Sequence, residues 1–288
     1  MEISRLSILG TGLIGGSIGL ACRSSLSHIQ IAGYSNQFAG WKQAVSRGAI
    51  QEGFDDPAAA VTGADLVILC TPVGAFREIL TKISGSLKPG SIVTDVGSTK
   101  RSVVALAGQL LPAHVQFVGS HPMAGGEKHG IEHARANLLQ HSTCILTPTG
   151  KTDPQALETI EKFWQSLDMR TIHMTPDLHD QLVADVSHLP HAVAAAMVRI
   201  QTEAGLKLAA RGFADTTRIA GGDSGLWRDI LLDNRDNLKA GILRLQEELT
   251  TLLDRLQSKD DAAVREWLTT AAEARKKLPP LKTDPHGK

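Results

Sequence analysis

Cysteine, aromatic residues and net charge are all scarce in this chain, and each shortage excludes a class of function. Three cysteines occur, Cys22, Cys70 and Cys144, with no Cys-x-x-Cys pair among them. That spacing offers no zinc site and no disulfide framework, and it fits a reducing compartment. Cys70 and Cys144 sit inside apolar runs, which predicts buried, unreactive thiols. Aromatics make up 4% of the residues, too few for a base-stacking surface. Thirty Lys and Arg balance thirty Asp and Glu, so no field of one sign draws the protein to nucleic acid or an anionic membrane. No apolar stretch reaches the roughly eighteen residues of a membrane span. The apolar segment at residues 3–9 leads into a glycine turn and not into a signal-peptide cleavage site. A cytoplasmic protein with a small-molecule partner is the expectation.

What is present is alternation. With 288 residues and 42% apolar content the chain can bury a substantial core. Short β-branched runs recur at residues 6–9, 29–34, 66–70, 92–96, 116–118, 144–146 and 170–173. Helical stretches rich in alanine and leucine separate several of them, at 74–84 and 102–111. That pattern predicts a mostly parallel sheet with crossover helices, an α/β Rossmann-type domain over residues 1–174. After Met174 the strands stop, and residues 175–288 read as an all-helical domain. Its most periodic helix runs from 236 to 257, with Leu238, Ile242, Leu245, Leu249, Leu252 and Leu256 spaced four and three apart. Such a seam serves either packing within one subunit or an interface between two.

Residues 3–20 read ISRLSILGTGLIGGSIGL, an apolar strand, a glycine turn and an amphipathic helix. In Gly10-Thr11-Gly12-Leu13-Ile14-Gly15 the first glycine suits the tight turn and the second the approach of a pyrophosphate. The third suits close packing of helix on sheet. The helix N-terminus then faces the phosphate charge with unpaired N–H groups. A dinucleotide is the cofactor this predicts. The second strand should end at the residue that reads the adenine ribose, where an acid favours NAD. Here Tyr34 is followed by Ser35 and Asn36, which do not repel a 2′-phosphate, so NADP is preferred and NAD stays admissible. Thr71, just beyond the strand at 66–70, should also face the cofactor.

Four segments combine polar side chains with glycine or proline: Asp95-Val96-Gly97-Ser98-Thr99-Lys100, Gly119-Ser120-His121-Pro122-Met123-Ala124-Gly125-Gly126-Glu127-Lys128, Ser187-His188-Leu189-Pro190-His191 and Asp215-Thr216-Thr217-Arg218-Ile219-Ala220. The first two follow strands at the edge where a nicotinamide would lie, and a cleft between the halves would collect all four. Together with the glycine turn, in this order, they resemble the prephenate/arogenate dehydrogenase family over nearly the whole chain.

The resemblance implies a Rossmann domain joined to a helical dimerisation domain, hence a homodimer through the C-terminal helices. It also implies oxidative decarboxylation of a cyclohexadienol. By the same resemblance His121 is the catalytic base, with Ser98 bonding the same hydroxyl or fixing the imidazole, and Arg218 grips the ring carboxylate. A neutral histidine suits the first role, and a planar guanidinium suits the last. His188 and His191, three apart and so on one helix face, would line the substrate pocket, His191 contacting the substrate side chain. Glu127 and Asp215 match acids at the pocket mouth, and Trp227 an aromatic nearby. Gly126 stands where a threonine is common. No metal is expected, because the histidine pair has no third ligand nearby.

Each residue has a plainer reading. Ser98 could be the cap of the following helix, Arg218 a surface ion-pair residue, and Glu127 and Asp215 ordinary loop acids. His129, His133, His141 and His179 read as solvated or structural. Two rival functions are another Rossmann hydride-transfer enzyme of the β-hydroxyacid dehydrogenase type and a non-catalytic dinucleotide-binding regulatory dimer. The first would need a catalytic lysine in the helical half, where Lys207 lacks suitable surroundings, and the second would lose His121, Ser98 or Arg218.

Overall fold

The computed structural model describes residues 3–37, 40–125 and 128–278. Among these residues eight strands form one sheet: β1 (Arg5–Leu9), β2 (Gln30–Tyr34), β3 (Glu52–Phe54), β4 (Leu66–Leu69), β5 (Ile92–Asp95), β6 (Gln116–Pro122), β7 (Thr143–Thr147) and β8 (Arg170–His173). They lie in the order β3-β2-β1-β4-β5-β6-β7-β8. Every neighbouring pair is parallel except β6–β7. Helices α1 (Leu13–Ser25), α2 (Gly40–Ser46), α3 (Pro57–Val61), α4 (Phe76–Ile83), α5 (Arg101–Leu110) and α6 (Pro154–Ser166) accompany the sheet. Order reverses between β1 and β4, so the carboxyl ends of these two strands open the crevice in which such sheets bind ligands.

Alternation along the strands divides the core. Leu6 and Ile8 of β1 and Leu66 and Ile68 of β4 join one apolar cluster with Ile18 of α1 and Trp164 of α6. Leu9, Val67 and Leu69 join the other, with Phe76 and Leu80 of α4 and Val103 of α5. Both faces are covered, as a parallel sheet requires.

Most strand ends lie within a residue of expectation, and two strands depart further. β3 is a three-residue edge strand of Glu, Gly and Phe, without the β-branched run that marks the others. β6 continues through Gly119, Ser120, His121 and Pro122, because antiparallel β7 pairs with that stretch, His121 opposite Ile145. Glycine and proline make the segment read as a loop, yet Pro122 as the last strand residue breaks no ladder that needs its N–H.

From Pro176 the described chain is helical: α7 (Pro176–Val183), α8 (Leu189–Arg199), α9 (Glu203–Lys207), α10 (Arg211–Thr217), α11 (Ser224–Asp233), α12 (Arg235–Gln257) and α13 (Asp261–Lys276). One π turn, Ala184–His188, joins α7 to α8. Pro190 stands at the start of α8 without an N–H to give, which accounts for the widened turn before it. By contacts the chain falls into two compact units, one up to Leu238 and one from Lys239. No helix among the described residues is long and apolar enough to cross a membrane. Cys22 and Cys144 are buried and Cys70 is half-buried. Burial pushes the Cys22 thiol up to about 12.

Beneath the carboxyl edge of the sheet lies an ion pair without solvent contact. Lys100 Nζ meets Asp95 Oδ2, both side chains fully buried. Asp95 also accepts from the amides of Gly97 and Ser120 at 2.8 and 3.1 Å, and Ser120 Oγ donates to the Asp95 carbonyl. Replacing Lys100 by Met keeps the stem and strands the carboxylate. A loss of about 3–5 kcal/mol is expected in urea unfolding at pH 8. The loss shrinks as pH falls, because a protonated Asp95 no longer needs the ammonium.

Candidate active site

The turn between β1 and α1 has the features a dinucleotide needs. Gly10 adopts φ +110°, and a methyl group there would lie 2.7 Å from the carbonyl carbon of Cys70, so only glycine lets β1 and β4 run side by side at this point. A methyl on Gly12 would meet nothing within 4 Å, which marks open space above the turn. Gly12 caps α1 without a side-chain hydrogen bond, leaving the helix amides to an incoming anion. Thr11 is buried, while Leu13 and Ile14 are half-buried and Gly15 is packed against the sheet. The buried Thr71 Oγ1 has no hydrogen-bond partner among the described residues. These residues fit a nicotinamide dinucleotide.

The described residues that follow β2, Ser35, Asn36 and Gln37, carry no carboxylate. Ser35 Oγ accepts from the Gln37 amide at 3.3 Å. Of the two cations nearest in sequence, Arg47 donates to the Ala134 carbonyl at 3.1 Å. Lys42 Nζ lies 5.7 Å from the centre of the Trp41 ring.

Ser98 and His121 come from adjacent strands, Ser98 in the loop after β5 and His121 within β6. The loop is held by the Asp95–Lys100 pair, and β6 is tied to it through Ser120. Ser98 is not the helix cap. Lys100 occupies the cap position of α5 with no side-chain bond, and the amides of Lys100 and Arg101 are taken by Asp180 Oδ1 and Oδ2, at 2.7 and 2.9 Å. The neighbour of Asp180, His179, places Nε2 2.8 Å from His121 Nδ1 and Nδ1 2.8 Å from Asp180 Oδ1. Burial first, then the neighbouring His179 imidazole, the Lys100 ammonium and the His188 imidazole, hold His121 well below the usual imidazole range, so the ring is neutral at pH 7. Burial works against ionisation of Asp180, but the bonds from His179 and the two amides outweigh it and hold its carboxyl low. His179 is therefore structural in a specific sense that sequence reading missed, as was Asp180. No pattern in the sequence marked them: Leu178 and Leu182 are 44% and 45% exposed while His179 and Asp180 are buried, the reverse of ordinary amphipathic order.

The helical segments bring His188, His191 and Trp227 together. The His191 ring stacks on Trp227 at 3.5 Å between centroids and 13° between planes, and His188 meets the same indole edge-on at 6.2 Å. Asn234 Oδ1 accepts from Asn237 Nδ2 at 2.8 Å, so its own amide nitrogen is the donor, to the Asp180 carbonyl at 2.7 Å and to His188 Nδ1 at 3.1 Å. His188 then carries its proton on Nε2, which is buried and unpartnered among the described residues, as is His191 Nδ1. Two imidazoles thus present unmet hydrogen-bonding capacity from one face.

Arg218 opens the turn Arg218–Gly221 after α10 and is exposed. The next residue, Gly222, lies against the pair just described, since a methyl there would sit 2.5 Å from Trp227 Nε1 and 3.3 Å from His191 Cε1. Asp215, on exposed α10, pairs with Arg211 at 3.5 Å. Glu127 and Gly126 lie outside the described residues. Among the described residues no cluster of His, Cys, Asp and Glu could hold a metal.

Residues 18–173 match the family model described as prephenate dehydrogenase, nucleotide-binding domain, and residues 175–270 match prephenate dehydrogenase, dimerization domain. The chain is 36% identical to prephenate dehydrogenase of Bacillus subtilis over 94% of its length and 75% of that protein's. It is 32% identical to cyclohexadienyl dehydrogenase of Zymomonas mobilis, over 97% and 96%. The crystal structure of prephenate dehydrogenase from Aquifex aeolicus with hydroxyphenyl propionate and NAD+ superposes with a TM-score of 0.90 at 34% identity, covering 97% of this chain and 99% of that one. Synechocystis arogenate dehydrogenase does so at 0.81 and 30%, covering 95% and 99%.

Burial pushes His188 from 6.5 down to about 4. The unfolded ring binds a proton first on acidification, so the stability held by the neutral ring is complete above pH 6.5 and is lost as pH falls toward 4. The loss amounts to about 3 kcal/mol. His188→Asn cannot titrate, so the difference between wild-type and variant urea stabilities should change by that amount across the window. An unchanged difference would exclude a neutral buried ring.

Proposed function

The chain belongs to the prephenate dehydrogenase family, and from that membership we propose how its own residues oxidise and decarboxylate a cyclohexadienol, prephenate or arogenate. The bound dinucleotide, held at Gly10, Thr11, Gly12, Leu13, Ile14, Gly15, Ser35 and Thr71, supplies the hydride acceptor. His121 takes the proton of the ring hydroxyl on Nε2 while hydride leaves the carbinol carbon. Loss of carbon dioxide then returns its bonding pair to the ring, and the proton held by His121 passes back to the phenolate oxygen. The base therefore only borrows a proton, which suits a neutral imidazole with little affinity for a lasting charge.

The observation that carries this reading is His121 itself: a buried neutral imidazole, its Nδ1 engaged by His179, beside the strand whose loop bears Ser98. In this reading Ser98 bonds the same hydroxyl. Arg218 binds the ring carboxylate through its planar fork, and by doing so aims the carbinol hydrogen at the cofactor. Its turn adjoins His191 and Trp227 through Gly222, which supports that placement. His188 and His191 meet the substrate side chain with the nitrogens left unpartnered in the fold. Asp215 and Glu127 as acids at the pocket mouth rest on family resemblance, and in the single chain Asp215 serves an exposed ion pair.

NADP is the preferred cofactor in this reading, supported by Ser35 and Asn36 where an acid would select NAD, and NAD is accepted as well. We assign residues 1–174 to cofactor binding and 175–288 to dimerisation and substrate binding, in a cytoplasmic homodimer. Support for the dimer comes from apolar surface that the single chain leaves open. On α12, Leu249 and Leu256 are 53% and 55% exposed, and in the first unit Val186 is 70% and Ile200 76% exposed. Scattered single leucines are ordinary, but repeated apolar positions on helices point to a covered face.

His121→Asn should lower kcat by roughly a hundred- to ten-thousand-fold, as expected for a lost general base, and near-normal turnover would remove His121 from that role. Arg218→Leu should raise KM more than it lowers kcat, because its contact exists before the transition state. Formation of reduced cofactor in the four mixtures of prephenate or arogenate with NADP or NAD identifies the preferred pair. Ser35→Asp should shift that preference toward NAD; an unshifted ratio would show that Ser35 does not read the ribose.

A further inference from the structure

His179 has no solvent contact, and it lies between a base and a carboxylate. Asp180 is anchored on its other side by two backbone amides, Lys100 N and Arg101 N, which can only donate. The carboxylate is thus an acceptor on every side, and the 2.8 Å contact to His179 Nδ1 must be an N–H donated by the ring. A neutral His179 then offers Nε2 as a lone pair, and the 2.8 Å contact to His121 Nδ1 is donated by His121. With both rings neutral the chain of donors runs one way, from His121 to Asp180, and it leaves the lone pair of His121 on Nε2. The edge-on ring arrangement, 64° between planes and 5.0 Å between centroids, aligns nitrogen with nitrogen and not face with face. Groups facing the pair from neighbouring elements are Lys100 of the β5–α5 loop, already bonded to Asp95, and His188, bonded to Asn234.

We propose that His179 and Asp180 are positioning residues for the base, a buried relay that fixes His121 in the Nδ1-protonated tautomer and shares the charge when Nε2 takes the substrate proton. The proposal rests on His121 being the base. As Nε2 gains the hydroxyl proton, the Nδ1–H of His121 moves toward His179 Nε2, and Asp180 balances the positive charge through the Nδ1–H of His179. The same shifts reverse when the phenolate recovers its proton, so no net proton leaves the site. In hydrolase triads a buried aspartate fixes the tautomer of a catalytic imidazole and stabilises its cation without taking the proton; here a second imidazole stands between the two.

Steady-state pH profiles of four variants test the relay, with melting temperature and reduced-cofactor binding followed alongside. His179→Leu leaves His121 Nδ1 unpartnered and should lower kcat by about a hundredfold with KM within about threefold. His179→Gln restores an acceptor in its amide oxygen and should recover kcat to within about tenfold of wild type. Asp180→Asn removes the charge that supports the cation, so the acid limb of kcat/KM should move to lower pH. If His179→Leu fails to fold, the His179→Gln recovery and the Asp180→Asn limb decide. The relay is overturned if His121→Asn is inactive while the Asp180→Asn limb and the His179 variants' kcat stay at wild-type values. Normal turnover of His121→Asn instead removes the base assignment, and the relay with it.

Discussion

Asp180 sits where the helical part of the first compact unit takes hold of the sheet, and three groups lean on it. Its carboxylate takes the first amides of α5, which no helix can satisfy from within, and a negative charge there is favoured by the helix dipole. The same oxygens orient His179, and through it His121. Its backbone carbonyl accepts from Asn234, whose amide sets the tautomer of His188. One residue on α7 therefore couples the end of the sheet, the candidate base and His188. The coupling is strong because His121, His179, Asp180, His188 and Asn234 are all buried, and a bond lost among them would leave a polar atom without water.

The Asp95–Lys100 pair plays the complementary part on the sheet side. Buried ion pairs add little net stability against an apolar alternative, but breaking one is costly. That asymmetry makes the pair a good device for geometry. It pins the start and end of the loop that carries Ser98, while Ser120, bonded to both the side chain and the backbone of Asp95, keeps β6 in register beside it. Antiparallel β7 then holds the far side of β6. His121 is thus fixed by two strands and a helix, consistent with a base that must return its proton to the atom it came from.

Sequence reading reached most of the sheet, because buried parallel strands must be apolar on both faces and so appear as continuous β-branched runs. It missed β3, where Glu52, Gly53 and Phe54 carry no such run at the sheet edge. It shortened β6, because Gly119 and Pro122 look like loop residues until β7 is known to pair with them. The glycine turn was legible in full, since the steric demand at Gly10 is local. His179 was not legible as a partner of His121, because its contact spans fifty-eight residues and a lone histidine in a helix has many uses. The reversed burial of α7, leucines out and His-Asp in, became visible only with coordinates.

By itself the sequence determined what local sterics and solvation dictate: the crossover sheet, the glycine turn with its open space, the helical second half, and the types of side chain available for proton and carboxylate chemistry. Residue identity and spacing suffice there, because the interacting atoms lie within a turn or a strand of each other. Only the tertiary structure decided which imidazole meets which, and through which nitrogen. Tautomers and the order of donors depend on partners brought in from distant segments, and no local pattern encodes the direction of a hydrogen bond between residues that meet only when the chain is folded.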